Sequence, residues 1–296
     1  MNKATKCFLA KTTSDFYQAH AQSFSETRKT AWYGWNTCAQ LIQDDIMHTQ
    51  KHMAPAKDSI VTPNLLQVCD IACGNLRLVQ FLSELMQNDS SMSYKLGGPI
   101  AKHISYTGID QCDPLVQSAN CHTSSTIDIT TINTNIIEKL ISQYPIADDK
   151  YMSTYDLVCC FGFFHHVPGS DTRLYLLNKL IELAKPQGYI VLSAWSFMRN
   201  QRIAAQAKTI TQEKLNDPSF FSSNEQRTDS LLLEPNDYFL GWQKDTSSVR
   251  YCHHTNQEEL TQLLNSLSYK ADVIARFDAD GKQGNLNQYV ILKRLA

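Results

Sequence analysis

The sequence predicts an α/β fold: one seven-stranded, mostly parallel sheet with helices on both faces and a terminal antiparallel hairpin. Three observations lead to this prediction. The stretch 65–78 (LLQVCDIACGNLRL) reads as a strand, a turn of small residues and a helix. The stretch 155–164 (YDLVCCFGFF) is almost wholly apolar, as expected for a strand covered on both faces. Two strand-like runs, 271–277 and 288–292, are joined by the turn residues DADGKQGN.

Composition limits the class of protein. The chain has 296 residues, 43% of them hydrophobic and 19% charged, which is typical of a soluble protein with a sizeable core. A net charge of −2 argues against nucleic-acid binding through bulk charge, but it leaves room for a local basic patch. No apolar run is long enough to cross a membrane, and the N-terminus lacks a signal-peptide core. The nine cysteines, none in a CxxC pair, are interpreted as reduced thiols of a cytoplasmic protein without a metal site.

The stretch 65–78 has the arrangement that lets a ligand approach main-chain N–H groups at the start of a helix. Apolar residues lead into Asp70, small residues follow at Ala72 and Gly74, and a helical pattern begins at about Asn75. In a Rossmann-like sheet such a turn lies at the carboxyl end of the first strand, where these folds bind nucleotides. We therefore predict a nucleotide-like cofactor at this turn, although similar turns also occur in α/β proteins that bind none.

Acidic residues are predicted at the ends of the next two strands. Asp110 ends the second strand, where a carboxylate can accept hydrogen bonds from both ribose hydroxyls. Asp128 lies near the end of a third short strand, predicted over 124–129. An acceptor there would suit the exocyclic amine of an adenine. The alternative is that Asp128 caps a helix over 135–142. The polar stretch 88–102 is predicted to be a loop inserted before the second strand.

The fourth strand, 155–164, runs into His165 and His166, at the same edge of the sheet as the turn. We interpret His166 as a hydrogen-bonding brace for the loop rather than as a general base, and both interpretations remain open for His165. A helix over 171–184 and a fifth strand over 189–193 follow.

The N-terminal region contains a candidate lid. Residues 1–12 are polar and are predicted to be frayed, with a helix beginning near Ser14. In the stretch 23–35 (SFSETRKTAWYGW), Arg28 lies close to Trp32 and other aromatic residues. A lid of this kind pairs Arg28 with a carboxylate and closes aromatic rings over a heterocycle. The alternative is that the aromatic residues only cover the sheet.

The region 197–248 is the least periodic part, with a helix to about Leu215 and a polar loop through Asp245. A strand-like run, 250–254, and an amphipathic helix, 256–267, precede the hairpin. We predict a single domain, 1–296, with four parts: a helical lid (1–48), a cofactor-binding core (64–195), a substrate-side insertion (196–255), and a terminal helix and hairpin (256–296).

Five features together resemble the class I S-adenosylmethionine-dependent methyltransferases. They are DIACGN, the two acidic strand ends, YDLVCCFGFFHH, LAKPQGYIVLSAW and the terminal hairpin. The resemblance covers nearly the whole chain and implies S-adenosylmethionine as the cofactor. Ala72 and Leu76 depart from it, because these positions are often glycine in the superfamily. Leu76 is predicted to lie just inside the helix, where glycine is not required.

Outer segments resemble a narrower family, the tRNA wobble-uridine carboxymethyl methyltransferases. The stretch FYQAHAQSFSETRKTAW is similar to their HFSxTR segment before a tryptophan, and FFHHV to their IHH segment. NDYFLGW and RYCHHTNQEEL resemble their DYxVPW and RYYHxFxxGEL segments, and QGNLNQYVILKR their terminal hairpin. The departures are Gly241 in place of proline, Cys252-His253-His254 in place of Tyr-His and an apolar residue, and a polar insertion before Tyr155.

The resemblance implies methyl transfer to the carboxylate of 5-carboxymethyluridine at the wobble position. A carboxylate is already ionised at neutral pH, so the enzyme needs no general base and acts mainly by desolvating and orienting it. Arg28 and Arg250 are the candidates for holding the carboxylate, and Arg199 is the third. The catalytic assignments are Arg28, Arg250 and His253. The cofactor assignments are Arg28, Trp32, Asp70, Ala72, Gly74, Asn75, Asp110, Gln111, Asp128, Ile129, Phe161 and Phe163. The substrate assignments are Trp195, Arg199, Trp242 and Tyr251.

The implied partners are tRNA and a small zinc-binding activator protein of the kind that eukaryotic members of the family require. Phosphate contacts are predicted from a scattered set of basic residues: Lys185, Arg199, Arg202, Lys208 and Lys244. Two other functions remain open at this stage. The chain can act on a small carboxylic acid or another metabolite, or it can be a non-catalytic module that activates a partner.

Overall fold

The computed structural model describes residues 1–53, 64–86, 101–119, 125–222, 232–243 and 245–296. Most of the predicted inserted loop, 88–102, and most of the stretch between the predicted lid and the predicted core lie outside the described residues, as does Lys244. Of the helices in the described ranges, none has the length and apolar character needed to cross a bilayer.

Helices and strands alternate along the chain. The helices are α1 (Lys3–Glu26), α2 (Tyr33–Met53), α3 (Arg77–Met86), α4 (Asp113–Gln117), α5 (Ile136–Ile141), α6 (Ser170–Leu183), α7 (Gln201–Leu215), α8 (Pro218–Ser222) and α9 (Gln257–Asn265). The strands are β1 (Leu65–Ile71), β2 (His103–Asp110), β3 (Ile127–Asn133), β4 (Tyr155–Cys160), β5 (Ala184–Trp195), β6 (Asp237–Trp242), β7 (Asp245–His253), β8 (Ala271–Ala279) and β9 (Asn287–Arg294).

The main sheet has seven strands in the order β3-β2-β1-β4-β5-β9-β8. The first five are parallel, and β9 runs antiparallel to both β5 and β8. The predicted fold class is therefore confirmed. The strand order reverses at β1, so the carboxyl ends of β1 and β4 open a crevice at the position where such sheets bind ligands.

Two apolar layers enclose the sheet. One contains residues of β4 and β5 packed against α6, with Leu176, Leu180 and Val158 fully buried. The other packs α2 and α3 against the opposite face, with Trp35 and Leu82 buried there. Burial on both faces explains why β4 is almost wholly apolar.

Several predictions of element bounds are wrong; the fifth strand, for example, was predicted over 189–193 and runs from Ala184 to Trp195. Residues 1–12 are not frayed, because α1 begins at Lys3 and Asn2 caps it by accepting a hydrogen bond from the Thr5 amide. The strand predicted over 124–129 is β3, which runs from Ile127 to Asn133. The helix predicted from Asn75 begins at Arg77.

A two-stranded antiparallel ribbon, β6–β7, replaces the polar loop predicted through Asp245. Its register shifts between Leu240 and Trp242, which marks a bulge at Gly241. The apolar face of the ribbon packs against α1 and α7, where Leu9, Phe239 and Ile210 are buried together. The ribbon thus lies beside the carboxyl edge of the main sheet and forms one wall of the site.

Candidate functional site

A cavity of about 620 Å³ lies at the carboxyl ends of β1, β2 and β4, between the lid and the β6–β7 ribbon. Within the predicted helical lid, 1–48, residues 23–35 alone are called the lid below. Thirteen of the predicted site residues line this cavity: Arg28, Trp32, Asp70, Ala72, Gly74, Asn75, Asp110, Gln111, Phe161, Phe163, Trp195, Trp242 and Arg250. All four tryptophans of the chain are among the lining residues. The volume is within the usual range for a small-molecule site.

The turn after β1 is held by hydrogen bonds within the protein. The amides of Ala72 and Cys73 donate to the carbonyl oxygen of Ile109 at 2.8 and 3.2 Å. Ala72, Gly74 and Leu76 have φ angles of 60°, 52° and 54°, in the left-handed region. Leu76 therefore lies in the turn and not inside the helix, so the prediction for it is wrong. A side chain at φ near 55° is strained, which explains why glycine is favoured at such positions.

Asp110 lies at the end of β2 and is held by the turn. Its carboxylate accepts hydrogen bonds from the amides of Gly74 and Cys112 at 2.9 and 2.8 Å. Burial raises the pKa of Asp110 above its ordinary value, while these main-chain hydrogen bonds act in the opposite direction. A carboxylate has about four lone-pair sites, so Asp110 can accept further hydrogen bonds from a ligand.

Asp70 is buried near the end of β1, and the Tyr106 hydroxyl donates to it at 2.6 Å. Burial raises the pKa of Asp70 to about 7, although the bond from Tyr106 and the charge of Arg77 lower it. Asp70 therefore changes its charge near neutral pH, and a cationic ligand beside it would favour the ionised form.

The lid closes over the turn. The Trp32 ring lies against Gly162, and Arg77 of α3 stacks over Trp32 and Trp35 at 4.6 and 5.0 Å. Arg77 also donates to the carbonyl oxygen of Thr30 at 3.1 Å. Aromatic rings thus cover the part of the cavity next to Asp70.

Arg28 and Arg250 converge on the Trp242 ring from two elements. Their guanidinium carbons lie 5.7 and 5.8 Å from its centroid. Arg250 is only 6% exposed and donates to the carbonyl oxygen of Gly241 at 2.9 Å. Burial lowers the pKa of Arg28 from its high ordinary value, and the charge of Arg250 adds to this effect. Within the described residues, no salt bridge joins either guanidinium to a carboxylate.

The two histidines after β4 are both buried and neutral. His166 donates from Nδ1 to the Tyr251 carbonyl oxygen at 2.7 Å, so its Nε2 accepts from the Tyr17 hydroxyl at 2.8 Å. Burial lowers the pKa of His166 to about 3, and it lowers the pKa of His165 well below 6.5. His166 has the contacts of a brace, as interpreted from the sequence. Nδ1 of His165 has no hydrogen-bond partner in the described structure.

Three predicted site residues lie outside the cavity. Asp128 is near the amino end of β3, exposed, and bonded to His103 at 2.8 Å, because β3 begins later than predicted. Ile129 follows it on β3 and packs against the apolar layer of α3. Arg199 pairs with Asp278 at 2.5 Å, away from the cavity lining. The expectations for a site role of Asp128, Ile129 and Arg199 are therefore not met.

His253 and Tyr251 also lie outside the cavity, in a buried ionic network. His253 donates to Asp237 and Glu259, each at 2.7 Å, and the Tyr251 hydroxyl donates to Asp237. Burial alone would lower the pKa of His253, but the two carboxylates raise it above 6.5. Arg173 completes the network with Glu259. Both nitrogens of His253 are therefore occupied, and the catalytic expectation for it is wrong.

Several cavity residues were missed from the sequence. They are Tyr17, Phe24, Arg77, Cys112, Gln206 and Asp280, and Arg202, predicted only as a phosphate contact, lines the cavity as well. The spacing of Tyr17 and Phe24, seven residues apart on one helix, places both on one face and was an available signal. Arg202 and Gln206, four residues apart on α7, share a face in the same way. Asp280 lies in the β8–β9 connection, and nothing local in the sequence marks it.

Comparisons with known proteins bear on the fold. No protein-family model matches the chain, and none of the curated proteins compared with it matches. Among solved structures, an S-adenosylmethionine-dependent methyltransferase from Methanosarcina mazei aligns with a TM-score of 0.50 and 15% identity, over 80% of this chain and 94% of that one. A DhpI–SAH complex aligns at 0.47 and 10% identity, over 97% of each chain. A methyltransferase from Clostridium acetobutylicum aligns at 0.45 and 11%, over 86% and 92%. The first likeness shows that this chain has the fold of S-adenosylmethionine-dependent methyltransferases.

Proposed function

We propose that this protein is an S-adenosylmethionine-dependent methyltransferase whose acceptor is a carboxylate. The observation that carries the proposal is the pair of guanidinium groups of Arg28 and Arg250, which face one cavity with no carboxylate partner in the described chain. Arg250 is buried and Arg28 is half-buried, and two such neighbouring cations are unfavourable unless an anion joins them. A planar carboxylate matches the donor geometry of guanidinium groups.

The other end of the cavity fits S-adenosylmethionine. The amides of Ala72, Cys73 and Gly74 are all used within the protein, so the turn does not offer them to a phosphate group. A nucleoside cofactor without phosphates fits such a turn better than a dinucleotide does. Asp110 has acceptor capacity left for ribose hydroxyls, and Gly74 has open space beside it.

Charge also fits this cofactor. S-adenosylmethionine carries a sulfonium and an ammonium group, and Asp70 lines the cavity as a buried carboxylate with a pKa of about 7. When bound, the cofactor supplies an electrophilic methyl group. The residues of this chain are left to bind, orient and exclude water, which are the tasks of an enzyme that works mainly by positioning.

The titratable groups near the arginines support an acceptor that needs no base. His166 has a pKa of about 3 and both of its nitrogens are bonded, and burial raises the pKa of Tyr17 to about 12. His165 is neutral as well. None of these three groups is tuned toward neutral pH, whereas effective general bases are. A carboxylate acceptor is already ionised and needs no proton removed.

We further propose that the acceptor is 5-carboxymethyluridine in tRNA. The outer segments that resemble the wobble-uridine enzymes contribute Tyr17, Arg28, His166, Trp242 and Arg250 to one cavity. The general fold does not require these residues, so their convergence supports the narrower resemblance. Under this proposal an activator protein remains a candidate partner.

The second candidate is methylation of a small carboxylic acid. The net charge of −2 and the partly enclosed aromatic cavity favour it. The non-catalytic alternative is less favoured. A module that only activates a partner needs neither two arginines without carboxylate partners in the described chain nor an Asp110 with acceptor capacity left for a ligand.

The deciding experiment is methyl transfer from labelled S-adenosylmethionine to bulk tRNA that lacks the wobble ester, with nucleoside analysis of the product. We expect label at the wobble uridine that alkali removes, as for an ester. Arg28→Ala and Arg250→Ala should lose this transfer while they still bind S-adenosylhomocysteine. Arg199→Ala is the matched control, because Arg199 pairs with Asp278 outside the cavity.

Three results would change the proposal. Absence of label in tRNA, with and without the activator and with S-adenosylhomocysteine binding intact, contradicts the tRNA acceptor. Methylation of free carboxylic acids under the same conditions then supports the second candidate. Failure to bind S-adenosylhomocysteine contradicts the cofactor assignment itself.

A further inference from the structure

Asn75 lies in the turn after β1, but its side chain faces the lid. Its Nδ2 donates to the carbonyl oxygen of Arg28 at 3.0 Å and to the Ser25 hydroxyl at 3.1 Å. An amide NH₂ has two hydrogens, so both of its donors are spent on the lid. The hydroxyl groups of Ser25 and Ser118 are also hydrogen-bonded to each other at 2.9 Å, which fixes Ser25 against the end of α4. The sequence assigned Asn75 to the cofactor, whereas these contacts point to another role.

The contact with Arg28 is made to its main chain. Asn75 therefore fixes the position of the Arg28 backbone, while the guanidinium donates to the Thr27 hydroxyl at 2.9 Å and faces Phe24 and Trp242. Arg77, two residues further, makes a parallel contact with the carbonyl oxygen of Thr30. One side chain in the turn and one at the start of α3 thus bond two carbonyl groups of the lid, at Arg28 and at Thr30.

The same turn is bonded to the predicted cofactor side. Gly74, next to Asn75, donates its amide to Asp110 at 2.9 Å. A ligand that binds Asp110 is therefore one hydrogen bond away from Gly74, and the next residue, Asn75, is hydrogen-bonded to the lid. This short path, Asp110 to Gly74 to Asn75 to Arg28, joins the two ends of the cavity through hydrogen bonds and one peptide unit.

We propose that Asn75 is a positioning residue that couples the cofactor turn to the acceptor arginine Arg28. This inference rests on the proposed function, since it assumes that Arg28 holds the acceptor. Asn75 acts through Arg28, so its loss weakens the use of the acceptor and leaves the intrinsic affinity for the cofactor nearly unchanged.

Asn75→Asp is the sharpest variant, because it keeps the size of the side chain and replaces the donor NH₂ with an oxygen that repels the Arg28 carbonyl. Asn178→Asp is the matched control: Asn178 also donates to a main-chain carbonyl, that of Leu174, and it lies outside the cavity lining. For Asn75→Asp we expect kcat/KM for tRNA lacking the wobble ester to fall about tenfold to a hundredfold. The dissociation constant of S-adenosylhomocysteine should stay within about twofold, and the control should match the parent protein.

A double-mutant cycle separates coupling from a general structural role. If Asn75 acts through Arg28, then Asn75→Asp should lower kcat/KM little further in a protein that already carries Arg28→Ala. Additive losses in the double variant would overturn the proposal. A loss of S-adenosylhomocysteine affinity as large as the loss of kcat/KM would also overturn it, and would return Asn75 to the cofactor.

A readout without turnover keeps this inference apart from the proposed function. All four tryptophans line the cavity, so acrylamide quenching of the unliganded protein reports opening of the lid. We expect acrylamide to quench tryptophan fluorescence more strongly in Asn75→Asp than in the parent protein. Quenching in Asn178→Asp should equal that of the parent protein. If the parent protein methylates no tRNA but the quenching changes as expected, the proposed acceptor fails and the tie between turn and lid stands. Unchanged quenching in Asn75→Asp overturns the tie itself.

Discussion

The guanidinium of Arg250 donates to the main-chain oxygen of Gly241 across the β6–β7 ribbon, at a distance of 2.9 Å. The bond fixes one end of a buried cation over Phe16, at 4.7 Å from the ring centroid. It neutralises none of the charge. In the described chain Arg250 is thus held by a carbonyl and by aromatic rings, an arrangement that suits a cation reserved for an anionic ligand.

A buried charge without a counter-ion costs stability, so replacing Arg250 should separate stability from activity. Arg250→Met keeps much of the length and apolar volume and removes the charge. We expect its free energy of unfolding to rise by about 1 kcal/mol, and methyl transfer to be lost. Urea unfolding and the tRNA assay measure the two effects.

Arg173→Met provides the contrast, because Arg173 is equally buried but paired with Glu234 and Glu259. Its removal leaves two carboxylates without their cation, and we expect a loss of about 3–5 kcal/mol. If Arg250→Met destabilises the protein as much as Arg173→Met does, Arg250 is a structural residue and the acceptor assignment fails.

Gly241 stands where the resembled family has proline, and the structure gives a reason. A Cβ on Gly241 would lie 2.2 Å from the carbonyl oxygen of Asp245. Any larger residue would therefore clash with the facing strand at this bulge. We expect Gly241→Ala to push the strands apart, to lower the free energy of unfolding by about 1–3 kcal/mol and to reduce kcat/KM by displacing the bond to Arg250. Ser248→Ala on the same ribbon should change stability by less than about 0.5 kcal/mol. Equal stability of the two variants would contradict this account.

The ribbon also shows where sequence reasoning stopped. Most main-sheet strands could be predicted because burial on both faces makes them continuous apolar runs. The β6 strand was missed because its pairing is limited to β7 and its polar flanks read as loop. The bounds of β3 were wrong because this edge strand is mostly exposed, with Ile127 its one buried residue, and threonines continue it beyond Asp128.

For site residues, too, positions marked by local sequence patterns could be predicted, and positions decided by tertiary contacts could not. Asp70, Gly74 and Asp110 could be predicted because their positions follow from strand ends, which sequence patterns locate. His253 was misassigned because its partners, Asp237 and Glu259, lie on two other elements, β6 and α9, that fold against it. Arg199 was misassigned because its partner, Asp278, comes from a distant part of the chain. Sequence spacing does not indicate whether a histidine or an arginine is already neutralised by such a partner.

Replacing Ala72 with glycine should relieve backbone strain in the turn after β1. Its φ of 60° is strained for a residue with a Cβ, and glycine adopts it freely. We expect Ala72→Gly to raise the free energy of unfolding by about 0.5–1 kcal/mol and to keep S-adenosylhomocysteine binding. Ala207→Gly, in the interior of α7, should lower stability by about 1 kcal/mol. A destabilising Ala72→Gly would show that the turn is not strained at this position.

Two basic residues of α7 allow a test of the RNA proposal. Arg202 lines the cavity and has no carboxylate partner in the described structure, whereas Lys208 on the same helix lies outside the lining. We expect Arg202→Gln to raise the KM for tRNA about tenfold and to flatten its salt dependence by about one unit of slope, because one phosphate contact is lost. Lys208→Gln should behave as the parent protein. Equal effects of the two substitutions would indicate a diffuse attraction and not a contact at the cavity.

Asp70 makes both stability and cofactor affinity depend on pH. Its pKa rises from 3.8 to about 7 on folding, so the folded protein retains a proton that the unfolded chain has released. The stability that this proton confers is complete below about pH 4 and is lost as the pH rises toward 7. Asp70→Asn should therefore flatten the fall of unfolding free energy between pH 4 and 7, as measured by urea unfolding at each pH.

The affinity for the cofactor should rise with pH, whereas the contribution of Asp70 to stability falls. A sulfonium cation near Asp70 favours the ionised carboxylate, so affinity for S-adenosylmethionine should rise by up to about tenfold per pH unit below pH 7 and level off above it. S-adenosylhomocysteine lacks the sulfonium charge, so the ratio of the two affinities should rise with pH in the parent protein and stay flat in Asp70→Asn. Calorimetric titration of both compounds at pH 6, 7 and 8 measures this ratio. A ratio that is independent of pH in the parent protein would place the sulfonium away from Asp70 and leave Asp110 as the main cofactor contact.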